Sequence, residues 1–225
     1  MTNQSNAEKT LLAIFAHPDD EAFGSGGMLA LNASKGHKTA LVTATRGEVG
    51  EISDPDLATR ENLGQVREQE LRAAAKILGV SELIILDYRD SGMVGTEDNQ
   101  HPRTLAQADP DEVIGQLVGI IRRLKPAEVM MFDENGGYGH PDHIAIHKHT
   151  VAAYHAAGDS SQFVDQGEPW NPQRLYYAVF PKSTFVRMRA MLIEQGMDTS
   201  GLDRFEENDI GWPDEEIHHV VDVSG

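Results

Sequence analysis

His17, Asp19, Asp20 and Glu21 crowd together directly after the apolar run Leu11-Leu12-Ala13-Ile14-Phe15, and His140, Asp142 and His143 form a second cluster far downstream. Imidazole nitrogen and carboxylate oxygen are the donors that hold zinc, and a catalytic zinc keeps three protein ligands and one open position. His17 and Asp20 can supply two ligands from one turn, and His143 is the best candidate for the third. Asp19 then points at the water on the ion. A carboxylate beside a cation stays ionised and is ready to accept a proton. His140 is either a fourth ligand or a hydrogen-bond donor to a tetrahedral oxyanion. The plain alternative makes Asp20 a helix cap, leaves His17 exposed and pairs Asp19 with an arginine. Two such clusters, each following a strand, favour one shared hydrolytic metal site.

Other motifs weigh less. His147 lies four residues after His143, the spacing of two ligands on one helical face, but no glutamate follows His143, so the zincin pattern fails. His147, His149 and His155 read as surface histidines or as supports behind the site. Gly24-Ser25-Gly26-Gly27 after a strand suggests a dinucleotide loop, yet the third glycine would fall at Leu29, and the acidic residues before it would repel a pyrophosphate. Arg67 with Glu70 is either a surface pair of little energetic weight or a hand over the site.

The elements that must position these residues are legible in the hydropathy pattern. Short apolar runs predict strands at Leu11–Ala16, Ala40–Thr45, Leu83–Leu86, Val129–Phe132 and Leu175–Phe180, with a last one at Ile217–Val223. Helical spacing predicts helices through Met28, Leu29 and Leu31, then over Ala58–Leu78, Asp111–Leu124, from Asp142 or His143 to Ala157, and over Thr184–Gln195. The polar stretch Val94–Asp109 is too long for an ordinary connection and reads as a lid or substrate loop. Gly158–Pro172 reads as a linker or a second lid. Strand and helix alternate, so the expected class is α/β, a mostly parallel sheet with helices on both faces. Loops after the first four strands would then leave from one sheet edge, where open α/β sheets bind ligands.

The 225 residues suit one domain, with residues 1–10 as a flexible N-terminal tail and 11–225 as the folded unit. There are no cysteines, which excludes disulfides, thiolate ligands and a cysteine nucleophile and fits a cytoplasmic setting. A formal net charge of −17 opposes binding to nucleic acid or to anionic membrane surfaces. The first ten residues carry no signal-peptide core, and no apolar run approaches the ~20 residues of a membrane span.

Ala16-His17-Pro18-Asp19-Asp20-Glu21 and His140-Pro141-Asp142-His143 together resemble the PIG-L/LmbE-type zinc N-deacetylases. Gly47-Glu48-Val49-Gly50-Glu51, Arg67 with Glu70, and Asp90-Ser91-Gly92-Met93 support the likeness, which spans Leu11 to Ala157. Asn135-Gly136-Gly137-Tyr138-Gly139-His140 and Arg89-Asp90-Ser91-Gly92-Met93 point to the mycothiol branch, its biosynthetic deacetylase and the related conjugate amidase. The resemblance implies a Rossmann-like fold and Zn2+, with Fe2+ as the alternative ion, held by His17, Asp20 and His143. It implies Asp19 as general base, His140 as a charged oxyanion donor and Tyr138 at the mouth polarising the carbonyl. Asp142 would orient and charge a site histidine, and Glu51, Arg67, Asp90 and Met93 would line the sugar side. The implied reaction is hydrolysis of an N-acetyl group from a small N-acetylglucosamine-containing molecule. An amidase of a thiol conjugate and a non-catalytic metal- or sugar-binding relative are the alternatives. A homo-oligomer is compatible with all three. Family members run on into a C-terminal helical segment, whereas this sequence stops at Val220-Val221-Asp222-Val223-Ser224-Gly225, which reads as a short or truncated C-terminal part.

Overall fold

In the computed structural model, which describes residues 9–52, 54–200 and 210–224, five strands form one sheet. They are β1 (Thr10–Phe15), β2 (Lys38–Thr45), β3 (Glu82–Tyr88), β4 (Glu128–Phe132) and β5 (Arg174–Ala178). Their order is β3-β2-β1-β4-β5, and every pairing is parallel. The helices are α1 (Gly26–Ser34), α2 (Leu63–Ile77), α3 (Pro110–Leu124), a single turn α4 (Gly136–Gly139), α5 (Pro141–Ala156) and α6 (Lys182–Glu194). The α/β class read from the alternation of elements is the fold observed.

Successive residues of a strand face opposite sides of the sheet, so the unbroken apolar run of β1 feeds two cores. Leu12 and Ile14 pack with Ala40, Val42 and the α3 and α5 residues Val113, Leu117, Ile121 and Ile146. Leu11, Ala13 and Phe15 pack with Leu41, Met130, Leu29 of α1 and Leu71 of α2. β1 is central and buried from Leu11 to Phe15, which fixes the loop at its C-terminal end.

Four sequence expectations need correction. The second helix starts at Leu63 rather than Ala58, because the Asn62 side chain accepts the Thr59 N–H at 2.7 Å and holds a turn in front of it. Residues 94–109, read as a lid or substrate loop, are tied to the neighbouring loop. Leu105 is fully buried, its N–H bonds the Arg89 carbonyl, and the Ala106 N–H bonds Ser91 Oγ, so the segment is sewn to the loop after β3. The Gly158–Pro172 stretch is likewise fixed. The buried Arg122 of α3 donates to the carbonyls of Ala156, Ala157, Asp159, Gln162, Phe163 and Gly167. Finally, Ile217–Val223 is irregular chain with Val220 88% exposed. Its β-branched residues have propensity but, among the described residues, no hydrogen-bonding strand beside them, and propensity alone does not make a strand. The expected tail lies largely in residues 1–8, outside the described residues.

Arg122 makes a testable case. Hydrogen bonds from a charged donor are worth more than neutral ones, and the carbonyls around Arg122 lose their shared donor together. Arg122→Met is therefore expected to lower unfolding free energy by about 2–4 kcal/mol, measured by urea denaturation. An unchanged midpoint would refute this organising role.

Candidate metal centre

β1 and β4 are neighbours, yet the chain leaves them toward β2 on one side and β5 on the other. A crevice opens at such a switch point, outside the carboxyl ends of the strands. The His17–Glu21 loop leaves β1 there and the Asp133–His140 loop leaves β4.

The first loop is tightly folded. The Asp20 carboxylate accepts the backbone N–H groups of His17 at 2.7 Å and Ala16 at 3.2 Å. The Asp19 N–H donates to Glu21 Oε2, and Asp19 itself sits at φ 107°. Thr45 pins the loop to β2 by donating its N–H and Oγ1–H to the Ala16 carbonyl. In the second loop the His140 imidazole caps α5, its Nδ1 accepting the Asp142 N–H at 3.1 Å, with Pro141 at the first helical position. This delivers Asp142 and His143 inward on the first turn. The His143 ring stacks on Phe132, centroids 4.0 Å apart. A Cβ on Gly136 would meet His143 Cβ at 2.7 Å, and Gly136 has φ +62°, so glycine is required under the ring.

Three donors face one another across the crevice. His17 Nδ1 lies 3.1 Å from His143 Nε2 and 3.6 Å from Asp20 Oδ2, and His143 Nε2 lies 3.4 Å from Asp20 Oδ1. Donors bound at ~2.1 Å around a tetrahedral ion stand about 3.4 Å apart, so these separations are of the right size, with Asp20 facing each ring through a different oxygen. The tautomers also fit. His143 Nδ1 faces the Gly136 carbonyl at 3.1 Å, which only accepts, so that nitrogen carries the hydrogen. His17 Nε2 faces Asp142 Oδ2 at 3.1 Å and Asp90 Oδ1 at 3.5 Å, so it too is the N–H side. The remaining lone pairs of both rings converge beside the Asp20 carboxylate. Such a cluster demands positive charge, from a proton or a metal ion. Burial lowers the His17 pKa, but hydrogen bonds to Asp142 and Asp90 and the Asp20 charge outweigh it and push it up to about 10. Burial pushes Asp20 up to about 7 against the pull of His17. Burial and the His17 charge hold His143 well below its usual value. His17 and His143, together with His140, form a buried group that could hold a metal ion, and Asp20 lies directly beside it.

The remaining predicted residues fall into place around this triangle. His140 completes a group of three imidazoles, each with a ring nitrogen within 4.8 Å of the others. Burial and then the His17 charge hold His140 down to about 4. With Nδ1 accepting an amide hydrogen, it is a neutral ring offering Nε2–H, and the charged form that the resemblance implies is disfavoured. Tyr138 is half exposed at the mouth, its ring 5.0 Å from His143 and 6.2 Å from His140. Asp142 is fully buried and orients His17, not His140, while its carboxylate takes the N–H and hydroxyl of Ser91. Asp90, expected on the sugar side, is instead buried. It accepts the N–H groups of Gly92, from its own turn after β3, and of Val49, from the loop after β2, and it faces His17. Arg67 donates to the Gly47 and Pro18 carbonyls and, at 3.0 Å, to Asp19 Oδ2, tying two loops together. A Cβ on Gly47, at φ +62°, would sit 1.9 Å from that guanidinium. Glu51 and Met93 are exposed. Sequence reasoning gave Ser91 and Phe132 no role. Ser91 had a signal, since it adjoins Asp90 in the motif. Phe132 was absorbed into its strand.

A parallel α/β sheet carrying a His/Asp cluster able to hold a metal at its switch point defines the class. A family model described as PIG-L: GlcNAc-PI de-N-acetylase matches residues 12–154, and the chain belongs to this family. A 1D-myo-inositol 2-acetamido-2-deoxy-alpha-D-glucopyranoside deacetylase of Thermomonospora curvata is 36% identical over 228 residues, 97% of this chain and 76% of the relative. Its namesake in Acidothermus cellulolyticus is 40% identical over 226 residues, covering 96% and 74%. The chain thus spans about three quarters of the length of these relatives. An N,N'-diacetylchitobiose deacetylase from Pyrococcus horikoshii superposes with a TM-score of 0.61 at 24% identity, over 89% of this chain and 74% of that one, a likeness of fold. The family read from the two clusters is borne out. Among the described residues no helix is long and apolar enough to cross a membrane.

Proposed function

We propose that this chain is a zinc-dependent N-deacetylase that hydrolyses the acetamide of an N-acetylglucosaminyl-inositol-like small molecule in the cytoplasm, releasing acetate and a free amine. The carrying observation is the His17–Asp20–His143 triangle with both imidazole lone pairs turned inward. The names of the relatives supply the substrate class. His17, Asp20 and His143 would hold Zn2+, with Fe2+ an alternative for the same donors. A bound ion supplies Lewis acidity toward the acetamide carbonyl and lowers the pKa of water.

The rest is done by side chains. Asp19, at the open mouth, accepts the proton of the attacking water. The water oxygen bonds to the acyl carbon, and the neutral His140 Nε2–H donates to the oxyanion that develops, with Tyr138 beside it. The C–N bond then breaks, and Asp19 returns its proton to the amine, since His140 has no extra proton to give. Glu51 and Met93 border the sugar's path. Asp90 acts through His17. The test is amine release from N-acetylglucosaminyl-inositol, set against a thiol-conjugated amide of the same sugar, together with metal analysis. Stoichiometric zinc without turnover of either would leave a binding protein and overturn the proposal.

Arg67 sets the acid side of the rate profile. Burial raises the Asp19 pKa, and the Arg67 charge and hydrogen bond lower it. Arg67→Met removes the lowering contribution, so Asp19 picks up its proton at higher pH. The acidic limb of kcat/KM against pH is expected to move upward, and an unmoved limb would separate Asp19 from the titration.

A further inference from the structure

The chain beyond β5 reaches back to the turn that seats His143. Trp212 is fixed by its own backbone at the end of β5, its N–H bonding the Phe180 carbonyl at 2.8 Å and its carbonyl taking the Lys182 N–H at 2.9 Å. Its indole Nε1–H donates to Asp133 Oδ2. Asp133 is buried directly after β4, and its other oxygen accepts the Gly137 N–H at 2.8 Å. The Asp133 carbonyl takes the Gly136 N–H at 3.0 Å. Gly136 in turn presents its carbonyl to His143 Nδ1 at 3.1 Å. A continuous run of hydrogen bonds therefore links residue 212 to a ring of the metal centre.

The turn needs that support. Gly136 and Gly137 both have positive φ, and Gly137 adopts φ 68°, ψ −74°, which no helix holds by itself. A cavity of about 550 Å³ lies between the turn and the Ile210–Trp212 segment, lined by Glu134, Tyr138 and Ile144 among others. The cavity leaves that side of the turn open, and there the Asp133 carboxylate and its indole partner hold it.

We propose that Trp212, through Asp133, is a positioning residue for the metal centre. It holds the Gly136–Gly137 turn so that the Gly136 carbonyl fixes the tautomer and orientation of His143. Outer partners of a ligating histidine typically matter 10–100-fold in metal affinity. This rests on the reading of His143 as a ligand, and the experiment separates the two.

Trp212→Phe keeps the ring and removes the donor, and Asp133→Asn keeps the shape and an acceptor while removing the second carboxylate oxygen. Two readouts are made on the full chain: amide hydrogen exchange at Gly137, and zinc affinity by competition with a chelator. The expected result for Trp212→Phe is exchange at Gly137 faster by about tenfold, with unchanged protection of the β1 amides and zinc binding weaker by about tenfold. Asp133→Asn should move both readouts the same way. Wild-type exchange at Gly137 and wild-type zinc affinity in both variants would overturn the proposal. So would uniformly faster exchange across β1, which marks a purely structural role. If the wild-type chain binds no zinc, the reading of the metal centre fails, while Gly137 exchange still decides whether Trp212 holds the turn.

Discussion

Asp19→Ala is expected to lose roughly 10²–10⁴-fold in turnover while keeping its metal. The expectation rests on where Asp19 stands. Its carboxylate is outside the donor triangle and is largely exposed at the mouth, held by Arg67. Its backbone is at φ 107°, a conformation that costs a non-glycine residue energy and persists only where surroundings impose it. The surroundings are visible: its carbonyl accepts the N–H groups of Ala22 and Phe23, and its N–H is held by Glu21. The loop thus keeps its shape without the Asp19 side chain, and Asp20 keeps its two backbone donors. Alanine therefore removes the proton acceptor and little else. Asp19→Asn is the sharper variant. It preserves size and can still accept from Arg67, but it cannot take a proton, so its turnover should match that of the alanine variant. Elemental analysis alongside single-substrate kinetics checks both. Turnover near wild type in either variant would remove Asp19 from the mechanism.

Much of this arrangement is legible in the residues. The β1 run is apolar without alternation because both of its faces are buried, and a short run ending at His17 could only be a central strand. The capping signature of α5 is equally local: His140, Pro141 and Asp142 mark a helix start whose first turn carries His143. Adjacency of β1 and β4 is not local. It follows from the packing of α3 and α5 on one face and α1 and α2 on the other, so the sequence supports a shared edge without showing that the clusters touch. Loops were the least legible part. Asp90 resembles a surface acid in sequence, and only the folded amides of Val49 and Gly92 make it an interior one. Residues 94–109 and 158–172 read as a lid or substrate loop and as a linker or lid, yet Ser91 and Arg122 tie them down through backbone amides and carbonyls, which leave no mark in hydropathy. Trp212 gave no signal, because its partner Asp133 is distant in sequence.

Removing His17 is expected to abolish metal binding, and removing its support is expected to weaken it by degrees. His17 gives Nδ1 to the triangle and Nε2–H to Asp142 and Asp90. His17→Ala deletes one of three ligands and the hub between both clusters, so the protein should purify without stoichiometric zinc and without turnover. Asp142→Ala leaves all three ligands but removes the nearer of the two acceptors that keep hydrogen on Nε2 and the lone pair on Nδ1, leaving Asp90 at 3.5 Å. Zinc affinity should fall by about 10–100-fold. It should also free the Ser91 N–H and hydroxyl, now bound to the same carboxylate, so some loss of stability accompanies it. Asp142→Asn distinguishes charge from geometry. The amide oxygen can take the place of Oδ2, accepting from Ser91 and His17, while the amide NH2 donates to Ser91 Oγ. The tautomer of His17 then survives and only the negative charge is lost, so the asparagine variant should bind zinc more tightly than the alanine variant. Chelator competition across the three variants reads the series directly. Equal affinity in Asp142→Ala and wild type would show that His17 does not depend on Asp142 for its orientation, and stoichiometric zinc in His17→Ala would place the ion elsewhere.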